Sequence, residues 1–284
     1  MITLIKNGLI IEVTDIHTVN LKKRQTNTID FVVPAIDHPY FSALLEHVVT
    51  YKSRSCIQLM ICQTSGNIEK EKEFIQLLQQ KRPDGLLFTE LIYEPEDIRQ
   101  EMEQLPIIVC SNLPFSDLSR FSVYMDHYES AVEGFHFLHE EIGCSKLAVC
   151  LHGQTGIVRN GRLAAYKDYI MANGLGFKEE RVIKLTSGTG MFDGIELHEK
   201  LDKIDEQPKT VFTGSDQTAT GYLLYRNSSS TLVVLGFDHQ PISMFLSFPT
   251  VEQPIEMLAE RSTSRLIDRI EERADWTQSA ATPV

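Results

Sequence analysis

Thr210-Val-Phe-Thr-Gly-Ser-Asp-Gln217 and, a little further on, Val233-Val-Leu-Gly-Phe-Asp238 are short apolar runs that end in small and acidic residues. Runs of this kind are the pattern of strands buried on both faces. Open α/β sheets bind ligands beyond the carboxyl ends of their strands. Two such ends close in sequence predict one edge of a small-molecule site, with Ser215, Asp216 and Asp238 exposed there. These are hydrogen-bonding groups without a nucleophile–base pair, which favours a receptor for a polar ligand over an enzyme.

The same alternation runs through the chain. Strand-like stretches are Thr28–Pro34, Ile57–Cys62, Gly85–Phe88, Ile107–Cys110, Phe121–Met125, Lys146–Leu151, Thr210–Thr213 and Leu232–Phe237. Segments with helical spacing lie between them: Glu69–Gln80, Ser130–Glu141 and Ile255–Ile270. Asn67 is placed to cap the first of these, and Pro39 and Pro254 mark further helix starts. Strands alternating with helices imply mostly parallel sheets, and the series is too long for one. The expected fold class is α/β, with two doubly wound parallel-sheet lobes. Residues 1–20 show no clear partner in this alternation.

Composition is that of an ordinary globular chain, with 42% hydrophobic and 23% charged residues. No run approaches the length of a membrane helix, and the apolar start lacks a basic region and cleavage site, so a cytoplasmic location is expected and no membrane partner. The net charge of −12 disfavours DNA binding over the whole surface. Lys22-Lys23-Arg24 reads as a solvated turn. Cys56, Cys62, Cys110, Cys144 and Cys150 are odd in number and mostly in or beside apolar runs, which fits buried thiols better than disulfides or zinc. The His residues are scattered, with no His-x-x-x-His pair, and no phosphate loop or esterase motif occurs; no metal, cofactor or catalytic residue is expected.

The order of motifs resembles the effector-binding region of the LacI/GalR family of bacterial transcription regulators. Leu21-Lys-Lys-Arg-Gln-Thr-Asn-Thr-Ile29 is similar to the family's join of hinge and core, and Phe31-Val-Val-Pro-Ala-Ile-Asp-His-Pro-Tyr-Phe41 to its first strand and helix start. Lys81-Arg-Pro-Asp-Gly-Leu-Leu87, Gly214-Ser-Asp-Gln217, Gly236-Phe-Asp238 and Thr250-Val-Glu-Gln-Pro254 follow in order. The resemblance implies a periplasmic-binding-protein-like fold (type I) whose lobes are joined by crossover strands. Residues 1–27 would be an N-terminal segment and hinge remnant, 28–123 plus 254–272 the first lobe, and 124–253 plus 273–284 the second. It also implies a homodimer and a small-molecule effector, a sugar, in the cleft. Operator DNA would be read only through a helix-turn-helix that this chain is expected to lack, so specific DNA binding by the chain alone is not expected. A transporter's solute-binding protein or a sugar-processing enzyme are the alternative functions on the same fold.

By motif position the ligand-binding residues would be Tyr40, Phe41, Ser111, Arg162, Ser215, Asp238 and Gln253, with Asp126 in the crossover. Each has a plainer alternative. Arg162 offers paired donors but could be a surface arginine. Asp238 could accept ligand hydroxyls or cap a helix. Tyr40 and Phe41 could stack on a sugar or fill core, and Gln253 could bind ligand or bridge the crossovers. Asp216, after Gly214-Ser215, reads as a helix cap.

Overall fold

The computed structural model describes residues 2–6, 9–13, 25–52, 57–92, 95–110, 118–152, 157–186, 190–227 and 230–273. The backbone divides into two units, each built on its own parallel sheet: Met1–Ile36, Leu44–Val123 and Glu256–Thr282 form the first, and Asp37–Ala43 and Tyr124–Ile255 the body of the second.

Two strands the sequence did not announce, β1 (Ile2–Lys6) and β2 (Leu9–Val13), pair antiparallel as a hairpin. The first unit's main sheet comprises β3 (Thr28–Val33), β4 (Gln58–Gln63), β5 (Gly85–Phe88) and β6 (Ile107–Val109), in the order β4-β3-β5-β6 and parallel throughout. Helix α1 (Pro39–Lys52) starts at its proline, and α2 (Ile68–Gln79) is capped by Asn67, whose side chain accepts from Glu69 N. Val32, Leu86, Phe88 and Val109 on one sheet face bury against Ile75 and Leu78 of α2 and Met102 of α3 (Arg99–Gln104). Asp84, in the Lys81–Leu87 motif, accepts from Thr26 N and Asn27 N and so pins the entry to β3. Buried Glu71 accepts from Ile92 N through both oxygens and fixes the loop after β5.

The second sheet comprises β7 (Leu147–Leu151), β8 (Val182–Lys184), β9 (Thr210–Phe212), β10 (Val233–Phe237) and β11 (Thr250–Val251), ordered β11-β10-β9-β7-β8 and again parallel. Alternation along β7 sends Leu147, Val149 and Leu151 to one face and Ala148 and Cys150 to the other. The first face packs on α4 (His127–His136) and α5 (Ile157–Ala172) through Phe135, Ala165, Tyr166 and Tyr169. The other face packs on α6 (Asp193–Leu201) and α7 (Asp216–Tyr225) through Leu197, Leu201, Ala219 and Tyr222. Helices on both faces make this a doubly wound sheet. Helices α8 (Pro241–Leu246) and α9 (Ile255–Ile270) complete the chain; α9 packs on the first sheet, where a methyl at Gly85 would meet side-chain carbons of Leu266 and Ile270 at 2.9 Å.

Several expectations need correction. Phe121–Met125 is no strand: Ser119–Phe121 form a 3-10 turn and Ser122 makes one bridge to Val109. The Ser122 carbonyl accepts from Arg265 Nη1 of α9 at 2.6 Å. Helix α4 begins at His127, not Ser130, because Asp126 caps it, and its last turn widens into a π-turn at Phe137–Glu141. Short β8 and β11 carry too few residues to show a pattern. Asp37–Ala43 groups with the second unit, although it was expected in the first. Arg273, expected in the second lobe, stays with α9 through ion pairs to Asp268 and Glu271. Lys22–Arg24, Cys56 and the segment after Arg273 lie outside the described residues. Cys62, Cys110, Cys144 and Cys150 are free thiols.

Candidate functional site

The order of the second sheet reverses direction between β7 and β9. Connections from these two neighbours leave to opposite sides, which opens a crevice at their carboxyl ends. His152 follows β7 there, and Thr213-Gly214-Ser215 follows β9. Arg162 reaches this point from α5. Its Nη1 donates to Gly214 O at 2.9 Å, and its guanidinium stands 4.0 Å from the Phe237 ring centroid. This cation–π contact in a dry setting suits a planar guanidinium better than an ammonium. Gly214 has φ +72, and a methyl on it would lie 2.9 Å from Arg162 Nη1 and 3.4 Å from His152 Nδ1. Glycine is therefore required both by the backbone and by the guanidinium packed over it.

Asp238 follows β10 on the same edge and is buried. Its Oδ1 accepts from Gln253 Nε2 at 2.5 Å and its Oδ2 from Gln240 Nε2 at 3.3 Å. Burial pushes its carboxyl up to about 7, against the pull of the Gln253 hydrogen bond and of Arg162. Asp238 has φ +106 and His239 φ +51, so the chain leaves β10 through two left-handed residues. Asp216 stabilises this turn: its Oδ2 accepts from Gln240 N and its Oδ1 from Thr250 Oγ1, both at 2.6 Å. Burial raises its carboxyl to about 6. Gly236 makes room for it, since a methyl there would fall 2.0 Å from Asp216 Oδ1.

Two histidines join the cluster without having been singled out as ligand groups by the sequence. His127, the first residue of α4, has its ring 5.6 Å from that of Phe237. His152 Nε2 lies 2.9 Å from Thr218 Oγ1. Burial first, and Arg162 second, lower both imidazoles to about 3, so both are neutral at physiological pH. Their separation along the chain hid them; only the sheet order brings them to one edge.

The remaining expected residues fall as follows. Ser215, not Asp216, is the cap of α7: its hydroxyl accepts from Thr218 N at 3.2 Å, while Asp216 turns inward. A serine with extended backbone (φ −157, ψ 151) suits that position. Asp238 caps no helix, because α8 starts after Gln240 without a side-chain cap. Gln253 meets Asp238 directly. Asp126 caps α4 by accepting from Tyr128 N and Glu129 N. Tyr40 and Phe41 are both buried in the first turn of α1, with ring centroids 5.1 Å apart. Ser111 lies outside the described residues. Arg162 is buried, not a surface residue, so its removal affects stability as well as any ligand.

The assembled groups are one buried cation, a carboxyl that two amides hold, and two neutral imidazoles. They can give and take hydrogen bonds. Among the described residues no group of three or more His, Cys, Asp or Glu is arranged to hold a metal ion, and no helix is long and apolar enough to cross a membrane. A groove of about 250 Å³ in the second unit, lined by Leu223, Arg226, Leu246 and Phe248 among others, stands at the start of β10, the end away from Asp238.

Comparison with known proteins bears on the fold and the family. Residues 26–276 match the family described as periplasmic binding proteins and sugar binding domain of LacI family. The uncharacterized HTH-type transcriptional regulator YkvZ of Bacillus subtilis is 29% identical over 263 residues, covering 90% of this chain and 79% of the relative. The ribose operon repressor of Escherichia coli is 28% identical over 271 residues, covering 88% and 78%. Among solved structures, the regulator CcpA of Lactococcus lactis superposes with a TM-score of 0.75 at 18% identity, covering 87% and 92% of the two chains. A LacI-family regulator of Lactobacillus casei with bound glucose gives 0.74 at 22%, covering 87% and 94%. The fold is shared with both, and because the family match runs through most of its length, the chain belongs to the family of periplasmic binding proteins and LacI-type sugar-binding domains.

Proposed function

We propose that this chain is the effector-binding region of a LacI-type transcriptional regulator, and that it acts by binding rather than by catalysis. A sugar or similar small polar metabolite is the effector. The observation that carries this is the meeting of Arg162, Asp238 and Gln253 at the carboxyl edge of the second sheet, in a chain whose relatives are transcriptional regulators. The ribose operon repressor and the glucose-bound regulator support a carbohydrate as the class. Ligand shifts the protein between states that differ in operator affinity, and the shift can be no larger than its differential affinity for them. Tyr40, Phe41 and Ser215 stay candidates for the same ligand by motif position.

Arg162→Ala tests the site. Losing one charge-assisted hydrogen bond costs about 1.5–3 kcal/mol, roughly ten- to a hundredfold in affinity. Ligand found by thermal-shift screening is expected to weaken by that factor in calorimetry. Unchanged affinity would show that Arg162 serves packing alone.

We also propose that the protein is a homodimer. Exposed apolar side chains gather on α7 and α8, which pack on each other: Leu224 and Tyr225 on the first, Met244 (64% exposed) and Phe245 (81% exposed) on the second. In the first unit the edge strand β4 exposes Met60 and Ile61. Open edges and apolar patches of this kind favour a second copy, and two-fold pairing is the commonest assembly. Phe245→Glu is expected to convert a dimer to monomer at micromolar concentration in sedimentation velocity. A wild-type monomer under the same conditions would dismiss the proposal.

A further inference from the structure

We infer that the effector carries an anionic oxygen group, a carboxylate or a phosphate, received by Arg162 and His152 at the carboxyl edge of the second sheet. This rests on the reading of the unit as a carbohydrate-type effector site and narrows the ligand class.

The argument starts from the protons. Ser215 Oγ accepts the Thr218 N–H at 3.2 Å and donates to Thr218 Oγ1 at 3.1 Å. A threonine hydroxyl has one proton. Thr218 Oγ1 can give its proton to His152 Nε2, 2.9 Å away, or accept one from the ring. When Thr218 donates, the neutral ring keeps its own proton on Nδ1, the nitrogen that lies on the Gly214 side with Arg162 Nη1. In that tautomer His152 is a donor next to the guanidinium.

His127 shares the Phe237 ring with Arg162, and its Nδ1 is buried without a hydrogen-bond partner. Asp238, the carboxyl on this edge, already receives an amide hydrogen on each oxygen. Burial also favours its neutral form. A neutral sugar needs donors and acceptors in balance. An anionic oxygen instead gains from a cation and an imidazole donor in a medium of low dielectric.

The test uses the full chain and three probes: gluconate, glucose 6-phosphate and glucose. One anionic probe is expected to bind about tenfold or more tightly than glucose in calorimetry. His152→Gln retains a group near Nε2 for Thr218 but removes the Nδ1 donor; it is expected to weaken that probe about tenfold and glucose hardly at all. His152→Asn restores an N–H near the Nδ1 position and recovers most of the loss. Preference for gluconate or for glucose 6-phosphate identifies the group as carboxylate or phosphate. Glucose binding as tightly as both anions would overturn the inference and leave the carbohydrate reading standing. Failure of all three probes and of a wider neutral and acidic sugar panel would overturn both.

Discussion

Gly221→Ala is expected to lower the melting temperature by about 6–12 °C, the largest effect of any single methyl addition in the second unit. Helices α6 and α7 cross there with backbones almost touching. A methyl at Gly221 would lie 1.8 Å from Met191 O, and one at Gly194 would lie 2.1 Å from Tyr222 N. Both obstacles are main chain, so no side-chain rotation relieves them. The helices must separate, and the buried contacts of Leu197, Ala219 and Tyr222 loosen with them. Overpacking typically costs about 1–3 kcal/mol and more where backbone must shift. At roughly 2–4 °C per kcal/mol for a chain of this size, about 3 kcal/mol gives the stated drop. Differential scanning calorimetry on Gly221→Ala and Gly194→Ala checks it. Melting within about 2 °C of the wild type in both would mean that the crossing is looser than its geometry states.

Asp238→Asn is expected to strengthen the fold at alkaline pH. The sign follows from the carboxyl's two states. Its pKa is about 7 folded and 3.8 when exposed, so between these values the folded protein binds more protons than the unfolded one. The stability owed to this group therefore falls as pH rises from about 4 to about 7. At about 1.4 kcal/mol for each tenfold change in proton affinity, the gap between the two states sets a ceiling of about 4 kcal/mol, and about 2 is expected after relaxation. The neutral amide avoids that cost, and a flipped Gln253 can accept from it. The imidazoles of His127 and His152 act in the opposite sense: they are held to about 3 in the fold, so their share of stability rises as pH climbs from about 3 to 6.5. The wild type is thus expected to have a shallow acid profile, and Asp238→Asn a steeper one. Urea unfolding at pH 5 and pH 8 measures both. A variant less stable than wild type at pH 8 would show that the two amide bonds to the carboxylate outweigh its burial.

Strands β5, β7 and β10 are legible in the sequence because burial on both faces leaves them without polar positions. Asn67 and Pro39 are legible as helix starts because capping and proline geometry are local. Phe121–Met125 imitates a strand because its apolar residues are buried without strand pairing. Ser122 gives its carbonyl to an arginine of distant α9, which no local pattern records. Arg162, Asp238 and Gln253 can be picked out through motif position, whereas the helix cap read for Asp216 falls to Ser215. Either can cap a helix, and the choice is made by Gln240 and Thr250, which reach Asp216 only once β10 and β11 are paired. His127 and His152 become neighbours of Arg162 by sheet order, a non-local fact.

The left-handed backbone at Asp238 bears on how such a receptor can change its ligand over time. At φ +106 a side chain is tolerated at low cost only for glycine and, with some strain, for asparagine or aspartate. Glutamate, lysine, threonine and the aromatics, which would otherwise diversify a recognition surface, are penalised by the main chain before they meet a ligand. Drift in specificity is therefore channelled away from this position and onto residues with ordinary backbone, such as His127 on its helix and Gln253 after β11. A library that randomises those two while holding Asp238 would sample the accessible evolutionary routes; one that randomises Asp238 would mostly sample misfolded turns.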